Sequence, residues 1–145
     1  MKLISIICFL ALGFFGIYSR SKINSIHVKG IPLLATTRVA IDEKAINKSF
    51  FVEYFLNDKF TLERIDTKLK DLNLLKNQDQ VTDIRLKCSL KRSFLQKDII
   101  YILRGGVIKW QNSFYEEDYE LTVMLVSAVP AKFKKSFTPM SPIID

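Results

Sequence analysis

Apolar residues are unevenly spread along this chain, and their spacing changes four times. From Leu3 to Tyr18 they run together, with no charge and only Ser5 to relieve the run. After Arg20 the sequence is mixed, and local periods can be read. Ile23 to Gly30 predicts a short strand stopped by Gly30 and Pro32, and Thr37 to Ile41 a second one. Asp42 followed by Glu43 opens a helix. Phe50 to Leu56, the richest aromatic cluster, fits either a core helix or a buried strand, because short apolar runs suit both periods. Thr61 then caps a helix whose stripe is Leu62, Ile65, Leu69, Leu72 and Leu75, ended by Asn77 to Gln80.

From Val81 the period falls to two. Ile84, Leu86, Cys88 and Leu90 alternate with Arg85, Lys87, Ser89 and Lys91, which predicts a strand with one wet face. Asp98 to Arg104 and Val107 to Asn112 form a hairpin about Gly105-Gly106, since paired glycines supply the positive φ that a tight turn needs. Tyr119 to Val129 reads as the last and longest strand, apolar on both sides and therefore central. Glu116, Glu117, Asp118 and Glu120 before it read as a solvated turn, lacking the spacing and glycine of a calcium loop. The fold expected is α+β: two helices on one face of an antiparallel sheet of about four to five strands, preceded by an apolar leader or anchor.

The leader bears on location. A basic start, an apolar centre and smaller residues at Gly16 and Ser19 have the form of a secretory signal. As a helix, Leu3 to Tyr18 would rise about 24 Å, short of the roughly 30 Å hydrocarbon core of a bilayer. Against cleavage, Ile17 spoils the small-residue pattern, and Arg20 and Lys22 follow at once. An uncleaved anchor with snorkelling lysines and arginine is the second reading, and a buried N-terminal helix the third. The organisation expected is residues 1–21 as signal peptide or membrane anchor, 22–130 as one α+β domain, and 131–145 as a mobile, basic tail holding Pro139 and Pro142. The protein is then exported, or held by a single N-terminal membrane helix.

Charge and candidate chemistry narrow the function classes. The 145 residues carry a net charge of +7, which suits an anionic membrane surface or an acidic protein partner; export argues against nucleic acid. Cys8 lies in the leader and Cys88 is phased with the apolar side of its strand, so a buried, inert thiol is expected and no disulfide. His27 is the sole histidine, which leaves no metal set and implies no cofactor. The candidate binding surface is basic: Arg85, Lys87 and Lys91 projecting to one strand face, with Lys132, Phe133, Lys134, Lys135 and Phe137 from the tail. No catalytic residue is assigned. A small non-enzymatic binding or assembly protein is the leading reading; a small exported enzyme using carboxylates such as Glu53, Asp83 and Glu120 is the alternative.

Overall fold

The computed structural model describes residues 22–76, 82–93 and 96–139. The leader at 1–21, the predicted helix stop at 77–80 and the last six residues lie outside them. In chain order the elements are β1 (Ser25–Gly30), α1 (Glu43–Lys48), β2 (Val52–Leu56), α2 (Lys59–Lys70), β3 (Ile84–Lys91), β4 (Lys97–Leu103), β5 (Ile108–Trp110), β6 (Ser113–Tyr115) and α3 (Tyr119–Val126), then a 3-10 helix at Ala131–Phe137. The fold is α+β, with one antiparallel six-stranded sheet in the order β2-β1-β3-β4-β5-β6. Among the described residues no helix is long and apolar enough to cross a membrane.

Register explains the core. Val28, Cys88 and Ile100 stand opposite one another on one face, with Ile26, Leu86, Leu90, Ile102 and Ile108 beside them. Leu62, Ile65 and Leu69 of α2, Leu121 and Leu125 of α3, and Phe137 cover that face and bury it. Each such side chain contributes about 1.5–3 kcal/mol on leaving water. Cys88 is fully buried as its phase predicted, and burial pushes its thiol up to about 12. A smaller cluster of Ile31, Ile46, Ile84, Tyr101, Leu103 and Phe114 lies beneath α1 on the other face.

Several elements differ from expectation, each for a local reason. Tyr119–Val126 is a helix: its eight residues are apolar on both sides of a strand pattern, which on a helix becomes a mostly apolar circumference. Asp118 decides it, accepting from Leu121 N–H at the helix start. The fourth strand of the meander is instead Ser113–Tyr115, after a bend where Gln111 and Asn112 take positive φ. Phe50 to Leu56 resolves as strand β2, with Val52, Tyr54 and Leu56 inward and Glu53 and Phe55 outward. Its aromatics therefore divide between core and surface. α2 is capped by Asp58, three residues before Thr61, and ends before Leu72 and Leu75. No strand forms over 37–41. Asp83 holds that loop by accepting from Ile41 N–H, while Ile84 N–H donates to the Ile41 carbonyl.

The start of the expected mobile tail is docked. Residues 131–137 wind into the 3-10 helix, and Phe137 is almost fully buried. A Cβ on Gly30 would lie 2.8 Å from Leu86 Cδ2 and 2.9 Å from Phe137 Cε1. Glycine at 30 thus makes the seat for the Phe137 ring. The hairpin turn is as predicted: Gly105 and Gly106 have φ of +83° and +86°.

Candidate functional site: a lysine-lined open sheet face

Among the described residues, the face of the sheet opposite α2 and α3 is covered only at one end. α1 sits there, tied by Lys87 Nζ donating to Asn47 Oδ1 at 2.7 Å and by a Lys109 to Glu43 pair at 3.0 Å. That bond and the Lys109 charge hold the Glu43 carboxyl below its usual range. Beneath α1, burial and then the Glu43 charge push Tyr101 up to about 12. Beyond α1, strand alternation leaves three rows of outward side chains.

Ser25, Lys91 and Lys97 make the outermost row. Phe55, His27, Ser89 and Ile99 make the next, and Glu53, Lys29 and Lys87 the third, which continues into Tyr101 and Lys109. Two lysine pairs thereby stand directly opposite across strands: Lys29 with Lys87, and Lys91 with Lys97. Like charges opposed in a sheet are unfavourable, so each pair needs an anion or solvent between. Glu53 meets this need for Lys29, at 3.5 Å, while also bonding His27 Nε2 at 2.7 Å. The side chains of Lys91 and Lys97 have no hydrogen-bond or ion-pair partner among the described residues. Between the rows the His27 ring lies flat against Phe55, centroids 4.5 Å apart and planes 13° off parallel. Ile99 is exposed in the same row. The two lysine rows are four residues apart along β3, or about 13 Å.

Of the residues expected to bind, Lys87 and Lys91 are on this face. Arg85 is not. A register shift between Ile84 and Leu86 turns it inward, where its guanidinium is fully buried against Asp83 Oδ2 at 2.5 Å and the Thr37 hydroxyl at 3.4 Å. Nε and Nη1 of Arg85 find no acceptor among the described residues. Lys132, Lys134 and Lys135 are exposed on the 3-10 helix, with Lys132 Nζ 4.8 Å from the Phe133 ring. Phe133 packs edge-on against Phe51, and Phe137 belongs to the core on the helix side. The tail lysines thus sit on an element docked through Phe137 into the helix-side core, whereas Lys87 and Lys91 project from the other face of β3.

Sequence reasoning missed His27, Lys29, Phe55, Lys97 and Ile99. His27 and Lys29 alternate with Ile26 and Val28, so their direction was readable. That they meet Lys87 and Ser89 depends on β1 lying beside β3, a pairing across some sixty residues.

The carboxylates considered for catalysis are separately engaged. Glu53 serves His27 and Lys29, Asp83 is buried with Arg85, and Glu120 binds Arg64 and, at 2.8 Å, Lys68. These cations hold Glu120 below its usual range. Among the described residues no three His, Cys, Asp or Glu side chains gather as a metal set. A cleft of about 380 Å³ lies between Leu33, Leu34, the Gly105-Gly106 turn and Tyr119. Of its carboxylates, Asp118 is committed to the α3 cap and Lys68. No protein-family model, curated protein or solved structure matches the chain.

Proposed function

We propose that this protein is an exported or membrane-tethered binding or assembly module, without catalytic activity, whose uncovered sheet face receives an acidic protein partner. The observation that carries the reading is the opposed pair Lys91 and Lys97. Two unpartnered cations are held side by side on a rigid sheet, an arrangement that an incoming carboxylate stabilises. The His27–Phe55 stack and Ile99 give that partner an apolar and aromatic strip between lysine rows. Charge of this kind sets encounter rate and orientation more than raw affinity. The leader at 1–21 supports the location.

The test is titration of the full chain with polyglutamate at low salt. Saturable binding is expected, weakened by salt and by Lys91→Glu/Lys97→Glu, and retained in Lys132→Ala/Lys134→Ala/Lys135→Ala. Absence of binding at low salt, or equal loss in both variants, rejects the open face as the site. Binding to anionic vesicles that survives the Lys91/Lys97 change but fails in the tail variant would transfer the function to the 3-10 helix and a membrane surface.

A further inference from the structure

The two edges of the sheet are treated differently. At β6 the edge is occupied: Leu74 bridges to Tyr115, Leu75 N–H donates to the Phe114 carbonyl at 3.0 Å, and Glu116 N–H donates to the Asn73 carbonyl at 2.9 Å. At β2 it is open among the described residues, because β2 pairs there only with β1. Which backbone groups face out follows from two bonds. Ile31 N–H donates to the Arg85 carbonyl on β3, whereas the Gly30 carbonyl accepts from Phe51, beside β2. Alternate residues of an antiparallel strand bond to alternate sides. Ile26, Val28 and Gly30 therefore bond to Leu56, Tyr54 and Val52. The N–H and C=O groups of Glu53 and Phe55 are left pointing away from the sheet.

An open edge is normally blunted by lysine, proline or a covering segment. β2 holds neither lysine nor proline, and no strand among the described residues covers its outer edge. Its sequence is Val-Glu-Tyr-Phe-Leu, and the aromatics in and beside it, Phe51, Phe55 and Phe60, are 54%, 61% and 68% exposed. The strand is also complementary to itself. Two antiparallel copies centred on Tyr54 place Glu53 opposite Phe55 of the second copy, and Val52 opposite Leu56. No like charges meet in that register, and the outward groups of Glu53 and Phe55 supply four backbone hydrogen bonds across the two-fold axis.

We infer that β2 is a homodimer interface, at which a second copy of this chain adds its own β2 and the two sheets become one of twelve strands. Pairing by strand addition takes its affinity from main-chain bonds, with the side chains setting register. Here the exposed Phe51, Phe55 and Phe60 supply the apolar contact. The Lys91–Lys97 pair stays clear of the axis, two and three strands in from the edge.

Sedimentation velocity of the full chain, across the micromolar to millimolar range, tests the inference. A concentration-dependent dimer is expected. Phe55→Glu, which sets a carboxylate directly opposite Glu53 of the other copy, is expected to raise the dimer dissociation constant about tenfold or more, since the like-charge pair enters twice by symmetry. Glu53→Pro, which removes one of the outward N–H donors and spares the bonds to β1, gives the same readout should Phe55→Glu fail to fold. Leu74→Lys, at the opposite edge, leaves association unchanged. A monomer at every concentration, a dimer indifferent to both β2 variants, or a dimer dissolved by Leu74→Lys overturns the inference.

Discussion

The buried pair of Asp83 and Arg85 offers the sharpest energetic test of this fold. Its side chains are 6% and 0% exposed, and among the described residues Arg85 has one carboxylate within reach, that of Asp83. Asp83 itself is better supplied. Its Oδ1 accepts from Ile41 N–H at 3.0 Å, and Arg104, half exposed, lies 3.8 Å from Oδ2. The two partners are therefore unequal. In Asp83→Asn the amide oxygen still accepts from Ile41, but Arg85 becomes a charge buried without a counterion, which costs about 3–5 kcal/mol. In Arg85→Met a side chain of similar length fills the space and Asp83 keeps Ile41 and Arg104, so the cost is about 1–2 kcal/mol. The double variant carries no buried charge and is expected to be more stable than Asp83→Asn alone, a coupling of about 1–3 kcal/mol. Urea unfolding of the full chain, with the four proteins compared at equal m-value, gives all three numbers. A cost below about 1 kcal/mol for Asp83→Asn would refute the argument. So would single costs that simply add in the double variant, because the two residues would then not be acting as a pair.

Two further outcomes follow from packing and burial. Gly30→Ala forces a Cβ to within 2.8 Å of Leu86 and 2.9 Å of Phe137; a loss of about 1–3 kcal/mol is expected, with faster amide exchange in residues 131–137 as the ring is displaced, and unchanged exchange there would show that Phe137 is not seated on Gly30. The Cys88 thiol is pushed by burial up to about 12, from an ordinary value of 9.0; the unfolded chain releases this proton first, so the stability it represents is complete below about pH 9 and is lost towards pH 12, at about 1.4 kcal/mol per pH unit. Cys88→Val should flatten that alkaline slope by about one proton, leaving the slopes from Tyr54, which burial also raises, and from Tyr101, raised to about 12; an identical slope in the variant, or rapid labelling of Cys88 in the native protein at pH 8, contradicts burial.

Sequence alone determined those features whose signal is local and repeated. The α+β class, the stripe of Leu62, Ile65 and Leu69, the inward phase of Cys88 and the Gly105-Gly106 turn all rest on spacing within a few residues. It also placed Lys87 and Lys91 outward, because a strand with one buried face alternates. Tertiary structure decided the rest where local patterns were degenerate or misleading. The run from Tyr119 suited strand and helix equally until the Asp118 cap and the salt links to Arg64 and Lys68 set it on α2. Arg85 obeyed the outward phase in sequence, yet one extra residue at the β3 bulge carried it inside, where only Asp83 makes a charge tolerable. Phe137 looked like part of a loose tail because nothing nearby in sequence can hold it; its seat is Gly30, more than a hundred residues earlier. The candidate site has the same origin. His27 faces Ser89 and stacks on Phe55 only because β1 lies between β2 and β3, while Lys97 faces Lys91 through the β3–β4 pairing. Strand order is fixed by burying one continuous apolar face beneath α2 and α3, a global condition that no window of the chain contains.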